Sequence, residues 1–388
     1  MPRYIGLDLH ARYIHGCEWK PEAADGHKEQ HFRFPNTPDG WAQLRPQLDR
    51  TCGVALEVTG SAFEMHDVLS PHVDRVLLAN PVDLKRLGSG RHTDRVDAAR
   101  LAKMLAVGTL PTVWVPPQPM REVRRLVYYR ARLASSRRRV INQAKSVVRR
   151  HGYVLPRETD VQRWLTQEFL DTLPALHSAC RQITVLKTEI EEIEAEIARC
   201  VAAVPAVQVL LTITGVGLIG AAATWAILGD PRRFARPKQV ARYAGLDPSI
   251  VQSGAQHRQG RISKAGSPLL RTLLVEAAHS LARWDTGPLG QFYTRTTQEG
   301  GSRKAIIALA RKLLIVAWRM LLTGELYRAA KPTMVARKQR ELPKKLTRVH
   351  AQLPTGLPGH PIIMTQLPTS NVARTENLRS RRRTPVSA

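Results

Sequence analysis

Apolar positions follow two different periods over the first 115 residues of the chain. Alternating or continuous apolar stretches predict β-strands at residues 4–9, 13–19, 31–34, 54–58 and 75–79. Helical spacing of the apolar positions predicts helices near residues 40–48, 63–69 and 93–107. Three strands followed by strand–helix alternation is the element order of a ribonuclease-H-like fold, so we expect an α/β domain over residues 1–118.

The pattern becomes helical after this domain. Residues 121–150 combine apolar positions at helical spacing with many arginines. A helix so uniformly positive repels itself unless an anion neutralises it, which favours binding to a phosphate backbone. A solvated amphipathic helix is the alternative. Within this segment, residues 119–160, the arginines that we assign to nucleic-acid binding are Arg124, Arg125, Arg137, Arg138 and Arg139.

Residues 161–203 are predicted to form a coiled coil. Apolar residues repeat there with spacings of three and four, and glutamates occupy much of the remaining surface. The apolar positions are Leu176, Ala179, Ile183, Leu186, Ile190, Ile193 and Ile197. So narrow a seam needs a partner helix, which comes either from the same chain or from a second protomer. We favour a second protomer and therefore a dimer.

The remaining chain divides into a helical segment and a tail. Residues 204–330 are predicted to be mainly helical, and Ile213-Thr-Gly-Val-Gly217 lies between two apolar helical stretches. This suggests a helix-hairpin-helix in which Gly215 and Gly217 let backbone amides approach a phosphate, with a plain helix–helix turn as the alternative. Residues 331–388 contain no Phe, Trp or Tyr and many prolines, so we expect a disordered basic tail.

The overall charge adds a polyanionic partner to this picture. The chain has 59 Lys and Arg against 32 Asp and Glu, a formal net charge of +27. Such charge favours nucleic acid, because each neutralised phosphate releases counterions. The four cysteines form no CxxC pair, which argues against a zinc ribbon or a disulfide framework and fits a reducing cytoplasm. The most apolar late stretch, residues 305–322, contains three cationic residues, so no membrane span is expected.

Four carboxylates stand apart from this positive background. Asp8 and Glu57 lie within predicted apolar strands, and Asp94 and Asp97 lie one turn apart at the start of a predicted helix. Carboxylates in apolar surroundings need a cation, and converging carboxylates hold Mg²⁺ in two-metal nucleases. The pattern therefore predicts a magnesium site for cutting nucleic acid. Ordinary helix-end and capping charges are the alternative.

Short motifs around these acids resemble one protein family. The motifs are Tyr4-Ile-Gly-Leu-Asp8, Leu56-Glu57-Val-Thr-Gly60, Asn80-Pro81 and Thr93-Asp94-Arg-Val-Asp97-Ala98, with a second set between Tyr243 and Arg271. Over roughly residues 3–325, the chain resembles transposases of insertion-sequence family one hundred and ten, including its subgroup eleven-eleven. Val58 and His92 depart from the residues that this family often has, and these departures leave the four acids unchanged.

The resemblance implies a RuvC-like acidic-quartet domain joined to a mainly α-helical C-terminal transposase domain. It also implies that a serine attacks DNA, by position Ser253, while the acids hold Mg²⁺. Residue types alone leave Ser249, Ser263 and Ser267 as rivals. The cations expected to stabilise the phosphate are Arg258, Arg261, Lys264 and Arg271.

Partners and location are also implied by the resemblance. They are donor and target DNA, a structured non-coding bridge RNA, a homo-oligomer that is a dimer or a dimer of dimers, and the bacterial or archaeal cytoplasm with its nucleoid. The predicted function is a DNA recombinase that mobilises its own insertion sequence. One alternative is a metal-only RuvC-like nuclease or junction resolvase in which Ser253 is structural. Another is a non-catalytic nucleic-acid-binding protein with a degenerate nuclease fold.

Overall fold

A mixed β-sheet forms the N-terminal part of the molecule. The computed structural model describes residues 2–24, 27–87, 93–153, 174–253 and 256–347. The strands of this sheet are β1 (Arg3–Leu9), β2 (Tyr13–Trp19), β3 (Glu29–Pro35), β4 (Cys52–Glu57), β5 (Arg75–Ala79) and β6 (Thr112–Val113). Their spatial order is β3-β2-β1-β4-β5-β6.

The strand directions follow from the connections between them. Strands β1, β2 and β3 form an antiparallel meander, whereas β4 runs parallel to β1 and β5 runs parallel to β4. The short β6 pairs antiparallel with β5. Because β1 and β4 lie at the centre of the sheet, both are largely buried and apolar. The predicted α/β arrangement of a three-strand meander followed by strand–helix alternation is confirmed.

Four helices accompany the sheet in the described part of the chain, and the last of them positions the site described below. They are α1 (Pro38–Leu44), α2 (Ala62–Leu69), α3 (Pro81–Leu87) and α4 (Asp94–Ala106). The Thr93 hydroxyl caps α4 by accepting a hydrogen bond from the Val96 amide. Helix α4 packs on β1 so closely that a Cβ atom at Gly6 would lie 2.0 Å from the Ala98 carbonyl oxygen. Glycine at position 6 therefore lets α4 lie directly on β1.

Two long helices follow the sheet and pack against each other. They are α5 (Gln118–Arg150) and α6 (Pro174–Val201). Val148 near the end of α5 packs with Leu176 near the start of α6, and Val127 near the start of α5 packs in the same cluster as Ile197 near the end of α6. The pair is therefore antiparallel. Helix α5 covers the apolar seam of α6, so the prediction that a second protomer supplies its partner helix is wrong.

The C-terminal part is mainly helical, as predicted. Its helices are α7 (Pro205–Leu211), α8 (Leu218–Leu228), α9 (Pro237–Tyr243), α10 (Pro268–Trp284), α11 (Pro288–Gly300) and α12 (Ser302–Thr323). A two-stranded hairpin, β7 (Pro248–Ser253) and β8 (Gln256–Ile262), lies between α9 and α10 in the sequence. Helix α8 lies at the centre of the core, since every residue from Ala221 to Leu228 is buried.

A further helix, α13 (Pro332–Thr347), lies in the segment predicted to be disordered. The prediction is wrong for these residues, and residues 348–388 of the predicted tail lie outside the described part of the chain. The Lys338 amine donates hydrogen bonds of 2.7 Å to the carbonyl oxygens of both Leu211 and Ile213. These carbonyls lie at the C-terminal end of α7, where a helix lacks its own donors. None of the described helices is long and apolar enough to cross a membrane.

A small joint connects the sheet to the helical part. Trp114, just after β6, packs on Gly229, where a Cβ atom would lie 2.3 Å from the indole ring. The Arg233 guanidinium lies 5.0 Å from the centre of the same ring. Arg124 of α5 donates hydrogen bonds to the carbonyl oxygens of Ala226 and Ile227, at 2.5 and 2.9 Å. The C-terminal end of α8 is thereby docked against the segment that leaves the sheet.

Candidate active site

The four carboxylates predicted from the sequence come together at one edge of the sheet. Strands β1 and β4 are parallel neighbours, and Leu7 pairs with Leu56, so the next residues along, Asp8 and Glu57, lie side by side. Asp8 is on the same face of β1 as Gly6, the residue on which α4 packs. The first turn of α4 carries Asp94 and Asp97. The close contact at Gly6 thus brings two acids from the helix to the strand that carries a third.

The negative charges of these side chains repel one another. Burial raises the pKa of Asp8, and the nearby charges of Asp94 and Asp97 raise it further. Burial also raises the pKa of Glu57, with further contributions from Asp8 and Asp97. Among the residues that the structure describes, no Lys or Arg lies within 4.0 Å of Asp8 or Glu57. Half-buried carboxylates in mutual repulsion, with oxygen donors on three elements, fit a divalent cation.

Two residues at this site were missed by the sequence analysis. His10 Nε2 lies 3.1 Å from an Asp8 carboxylate oxygen and 3.3 Å from an Asp94 carboxylate oxygen. The Tyr13 hydroxyl donates a 2.8 Å hydrogen bond to the other oxygen of Asp94, which lowers the pKa of that carboxyl group. The signal for His10 was its spacing, because residues two apart on a strand lie on the same face.

A second group of possible metal ligands lies on β2 and β3. It consists of Cys17, Glu29 and His31. The Lys103 amine lies 2.5 Å from one Glu29 oxygen, so this carboxylate already has a cationic partner. Burial raises the pKa of Cys17 to about 11, which keeps its thiol protonated. We therefore assign no ion to this group.

The predicted nucleophile, Ser253, is the last residue of β7 and pairs with Gln256 across the hairpin. Its side chain lies outside the described part of the structure. The three rival serines have structural hydrogen bonds. Ser249 donates to the Arg261 carbonyl oxygen, Ser263 contacts the Asp247 carboxylate, and Ser267 caps α10 by accepting from the Leu270 amide. No described hydrogen bond or ion pair connects this hairpin to the four acids.

Two of the cations predicted to bind nucleic acid make structural hydrogen bonds. Arg124 is committed to the carbonyl oxygens at the end of α8, and burial lowers its pKa. Arg271 donates a 3.0 Å hydrogen bond to the Ala244 carbonyl oxygen just after α9. The prediction for Arg124 is corrected in this sense. Arg271 is half-buried and bonded through one nitrogen, so its role in binding phosphate stays a prediction.

The other predicted cations differ in exposure. Arg138 and Arg139 are exposed on α5, and Arg125 is exposed beside Glu122 on the same helix. Arg137 is half-buried, and its Nε atom has no hydrogen-bond partner among the described residues. Arg261 and Lys264 are exposed at the end of β8, whereas the side chain of Arg258 lies outside the described part of the chain.

The two predicted phosphate-binding glycines are not equivalent. Gly215 has a φ of +80°, and a Cβ atom there would lie 2.7 Å from the Ala277 carbonyl oxygen of α10. This glycine therefore serves a tight turn and close packing rather than an open phosphate site. Gly217 precedes α8 and has no atom within 4 Å of a built Cβ. It lines a cavity of about 370 Å³ that is also lined by Arg130, Glu194 and Lys338.

Comparison with known proteins finds two family models along this chain. Residues 5–152 match a DEDD-type IS110 transposase model, and residues 207–294 match the transposase IS116/IS110/IS902 family. A probable family 20 transposase of Pseudomonas aeruginosa is 28% identical over 84% of this chain and 98% of its own length. The transposase for insertion sequence element IS1111A of Coxiella burnetii is 26% identical, covering 71% of this chain and 79% of that protein. A pilin gene-inverting protein of Moraxella lacunata is 26% identical over 82% and 95% of the two chains.

Proposed function

Because this chain belongs to the IS110/IS116/IS902 family of transposases and is a DNA transposase or recombinase, we propose that it mobilises an insertion sequence by metal-assisted strand cleavage at Asp8, Glu57, Asp94 and Asp97. DNA is its substrate. The observation that carries the proposal is the convergence of these acids on one sheet edge, where burial raises the pKa of Asp8 and of Glu57 and neighbouring carboxylates raise it further. His10 near Asp8, and Lys85 and Arg100 near Glu57, offset this rise only in part, so an added cation would stabilise the group.

The four carboxylates share one task in this proposal, and neighbouring groups support it. Asp8, Glu57, Asp94 and Asp97 would hold Mg²⁺, which supplies Lewis-acid stabilisation of the charge that develops on a phosphate. The Tyr13 hydroxyl holds one oxygen of Asp94 and so fixes the direction of the other. Burial of Asp8 and Glu57 strengthens their attraction for a cation, because less water competes with it.

We assign the nucleophile to Ser253. Its Oγ gives up its proton and forms a bond to the DNA phosphorus, one phosphorus–oxygen bond to a deoxyribose breaks, and the departing sugar oxygen takes up a proton. The phosphoserine formed conserves the phosphodiester bond for transfer to another strand. The structural hydrogen bonds of Ser249, Ser263 and Ser267 support this choice. The exposed Arg261 and Lys264, with Arg258, supply positive charge for the phosphate.

The proposed partners are donor DNA, target DNA and a non-coding bridge RNA. The net charge of +27 and the exposed Arg125, Arg138 and Arg139 of α5 support binding to phosphate backbones. A dimer or dimer of dimers, located with the nucleoid in the cytoplasm, is proposed as the working form. Such an assembly would let the hairpin of one protomer meet the acids of another.

DNA inversion is a second candidate function. The pilin gene-inverting protein of Moraxella lacunata matches this chain over 95% of its length, and inversion uses the same cleavage and exchange steps as transposition. A plasmid that carries the ends of the element in inverted orientation distinguishes inversion from transposition. Inversion of the enclosed segment supports the second candidate, whereas excision and insertion elsewhere support the first.

The serine mechanism is tested with Ser253→Ala and Asp8→Asn proteins on DNA that carries the element's ends. We expect a covalent protein–DNA adduct with the wild-type protein and Mg²⁺, and none with either variant. Ser249→Ala, whose hydroxyl bonds only a backbone carbonyl, is the matched control and should keep the adduct. Strand cleavage by the Ser253→Ala protein would establish the metal-only nuclease instead. Cleavage by the Asp8→Asn protein would refute the metal site.

A further inference from the structure

The imidazole of His10 lies between two of the four acids. Its Nε2 atom is 3.1 Å from Asp8 Oδ2 and 3.3 Å from Asp94 Oδ1. One ligand atom from each of these three residues lies within 4.8 Å of the others. An octahedral ion with bonds of about 2.1 Å separates neighbouring ligand atoms by about 3.0 Å. The distances from the nitrogen to its two oxygen neighbours are therefore those expected between neighbouring ligands of one ion.

The backbone of His10 is held in place by hydrogen bonds. The His10 amide donates a 2.9 Å hydrogen bond to the Tyr13 carbonyl oxygen, closing the turn between β1 and β2. The His10 carbonyl accepts a 2.7 Å hydrogen bond from the Asn36 side chain. Asn36 is itself held by a 2.9 Å hydrogen bond from the Trp41 indole. The backbone that carries the imidazole is thus held in place beside the acids.

The neighbouring aromatic ring supports the same arrangement. The Tyr13 ring lies 4.7 Å from the His10 ring between centroids, and its hydroxyl donates to Asp94 Oδ2. The two oxygens of Asp94 are therefore divided between Tyr13 and His10. The guanidinium of Arg33 lies 3.5 Å from the Tyr13 ring centroid and also contacts this ring.

We propose that His10 is a further ligand of the ion held by Asp8 and Asp94, and that its nitrogen makes the site bind Mn²⁺ more tightly than Mg²⁺. The inference rests on the proposed metal site. Mg²⁺ favours oxygen ligands almost exclusively. Mn²⁺ shares the preference for carboxylates and, as a first-row transition ion, also accepts imidazole. A mixed set of carboxylates and one imidazole therefore distinguishes the two ions.

The first test measures binding of the metals alone to the full-length protein. Mn²⁺ is titrated by the electron paramagnetic resonance signal of the free ion, and Mg²⁺ by competition. In the wild-type protein we expect tighter binding of Mn²⁺. The His10→Ala substitution should weaken Mn²⁺ binding by about tenfold or more, and Mg²⁺ binding by much less, so the ratio of the affinities falls. An unchanged ratio would overturn the proposal.

Two more variants sharpen this measurement. His10→Asp replaces the nitrogen by oxygen and should retain ion binding while removing the preference for Mn²⁺. His66→Ala is the matched control, because His66 also faces a carboxylate, that of Asp67 at 3.3 Å, but on α2. It should leave both affinities unchanged. Loss of the Mn²⁺ preference in the control protein would contradict the assignment to His10.

A spectroscopic measurement on the wild-type protein avoids the risk that a variant misfolds. Electron spin-echo modulation of bound Mn²⁺ should report a directly coordinated nitrogen. Its absence would refute ligation by His10. Asp8→Asn separates this inference from the proposed function. If the Asp8→Asn protein binds both ions normally, the proposed metal site is wrong. If that protein loses affinity for both ions but the wild-type protein shows no nitrogen signal, only the role of His10 is refuted.

Discussion

Individual side chains at the acidic site work against the stability of the metal-free protein. Asp8 and Glu57 are both half-buried, and the pKa of each is raised by burial and by neighbouring carboxylates. A carboxyl group whose folded-state pKa is raised binds its proton more tightly in the folded protein. The metal-free protein therefore gains stability as the pH falls through these raised pKa values, before general acid denaturation begins. A bound cation has the same effect at neutral pH.

The Asp8→Asn substitution should stabilise the metal-free protein while abolishing its function. Removal of one repelling charge is expected to raise the free energy of unfolding by about 1 kcal/mol at neutral pH. Thermal unfolding with and without Mg²⁺ measures this, and Mg²⁺ should raise the unfolding midpoint of the wild-type protein but not that of the Asp8→Asn protein. Asp74→Asn, at an exposed position, is the control; it should change neither the free energy of unfolding nor the effect of Mg²⁺ on the unfolding midpoint. A destabilised Asp8→Asn protein would contradict the repulsion described here.

Adjacent arginines on α5 should differ strongly when replaced by alanine. Arg124→Ala removes two hydrogen bonds to carbonyls at the end of α8 and is expected to cost about 3 kcal/mol of stability. Arg125→Ala removes an exposed pair with Glu122 and should cost about 0.5 kcal/mol or less. Urea unfolding measures both. Equal losses would show that the joint at α8 does not depend on Arg124.

The sequence could not separate these two arginines. Both lie in one basic helical run, and only the packing of α8 decides which guanidinium is buried. Asp8 and Glu57 could be singled out because their apolar surroundings are local in sequence. His10 was within reach by its spacing from Asp8, but its contact with Asp94 depends on how α4 lies on β1.

Helix α4 is positioned by the absence of a side chain on the strand beneath it. Gly6→Ala would place a Cβ atom 2.0 Å from the Ala98 oxygen and 2.6 Å from the Ala102 nitrogen, both of which are backbone atoms. The helix must then move, at a cost of about 1–3 kcal/mol. Since Asp94 and Asp97 move with it, Mn²⁺ or Mg²⁺ affinity should also fall.

Gly53→Ala on β4 is the control for this prediction. Its Cβ atom would meet nothing nearer than a flexible Leu105 methyl at 3.4 Å. Calorimetric metal titration and urea unfolding of both variants test the argument. Normal metal affinity in the Gly6→Ala protein would show that the metal site does not depend on the position of α4.

Helix α13 contributes a titrating group to the stability of the helical part. Burial lowers the pKa of Lys338 to about 8 from its usual 10.5. Between these pH values the unfolded chain keeps a proton that the folded protein has released, so the stability contributed by this group rises with pH. Urea unfolding at pH 8 and pH 10 should show this rise in the free energy of unfolding for the wild-type protein but not for the Lys338→Met protein. Lys304→Met, at an exposed position, is the control, and that protein should show the same rise as the wild type.

The elements were predictable to different degrees. The bounds of β2 and β5 were obtained from apolar patterning alone, because a strand in a buried sheet is defined by its own residues. Helix α13 was missed because its composition resembles a disordered tail, while it is anchored by one lysine to carbonyls more than a hundred residues away in sequence. The partner of α6 was predicted wrongly for a similar reason, since heptads do not identify their partner.

The charge of the whole molecule is concentrated on surfaces rather than spread through its cores. Arg138 and Arg139 are exposed on α5, and α6 covers the apolar side of that helix. Positive charge on one accessible helix face is the arrangement that attracts a phosphate backbone. The affinity for nucleic acid is therefore expected to fall steeply with salt.

Charge reversal of Arg138 and Arg139 to Glu should weaken binding to DNA and reduce its salt dependence. Each phosphate contact that is lost lowers the slope of log affinity against log salt by about 0.9. Fluorescence anisotropy over a range of salt concentrations measures the slope. Arg328→Glu, at a side chain that is 90% exposed beyond α12, is the control and should change the slope less. Equal salt slopes for the two variant proteins would show that α5 does not contact DNA.

The joint at Trp114 has a consequence for how members of this family can exchange parts. Although α5 follows the sheet directly in the sequence, its Arg124 is bonded to the end of α8, and Trp114 fits only a residue without a side chain at position 229. A chimaera cut between the sheet and α8 separates residues that must match. A crossover placed before Trp114, so that residues 114–330 are inherited as one block, keeps the joint intact. Such a block could receive an acidic-quartet sheet from a relative that matches two further contacts, because Val115 packs on the core of the sheet and Arg121 pairs with Asp67.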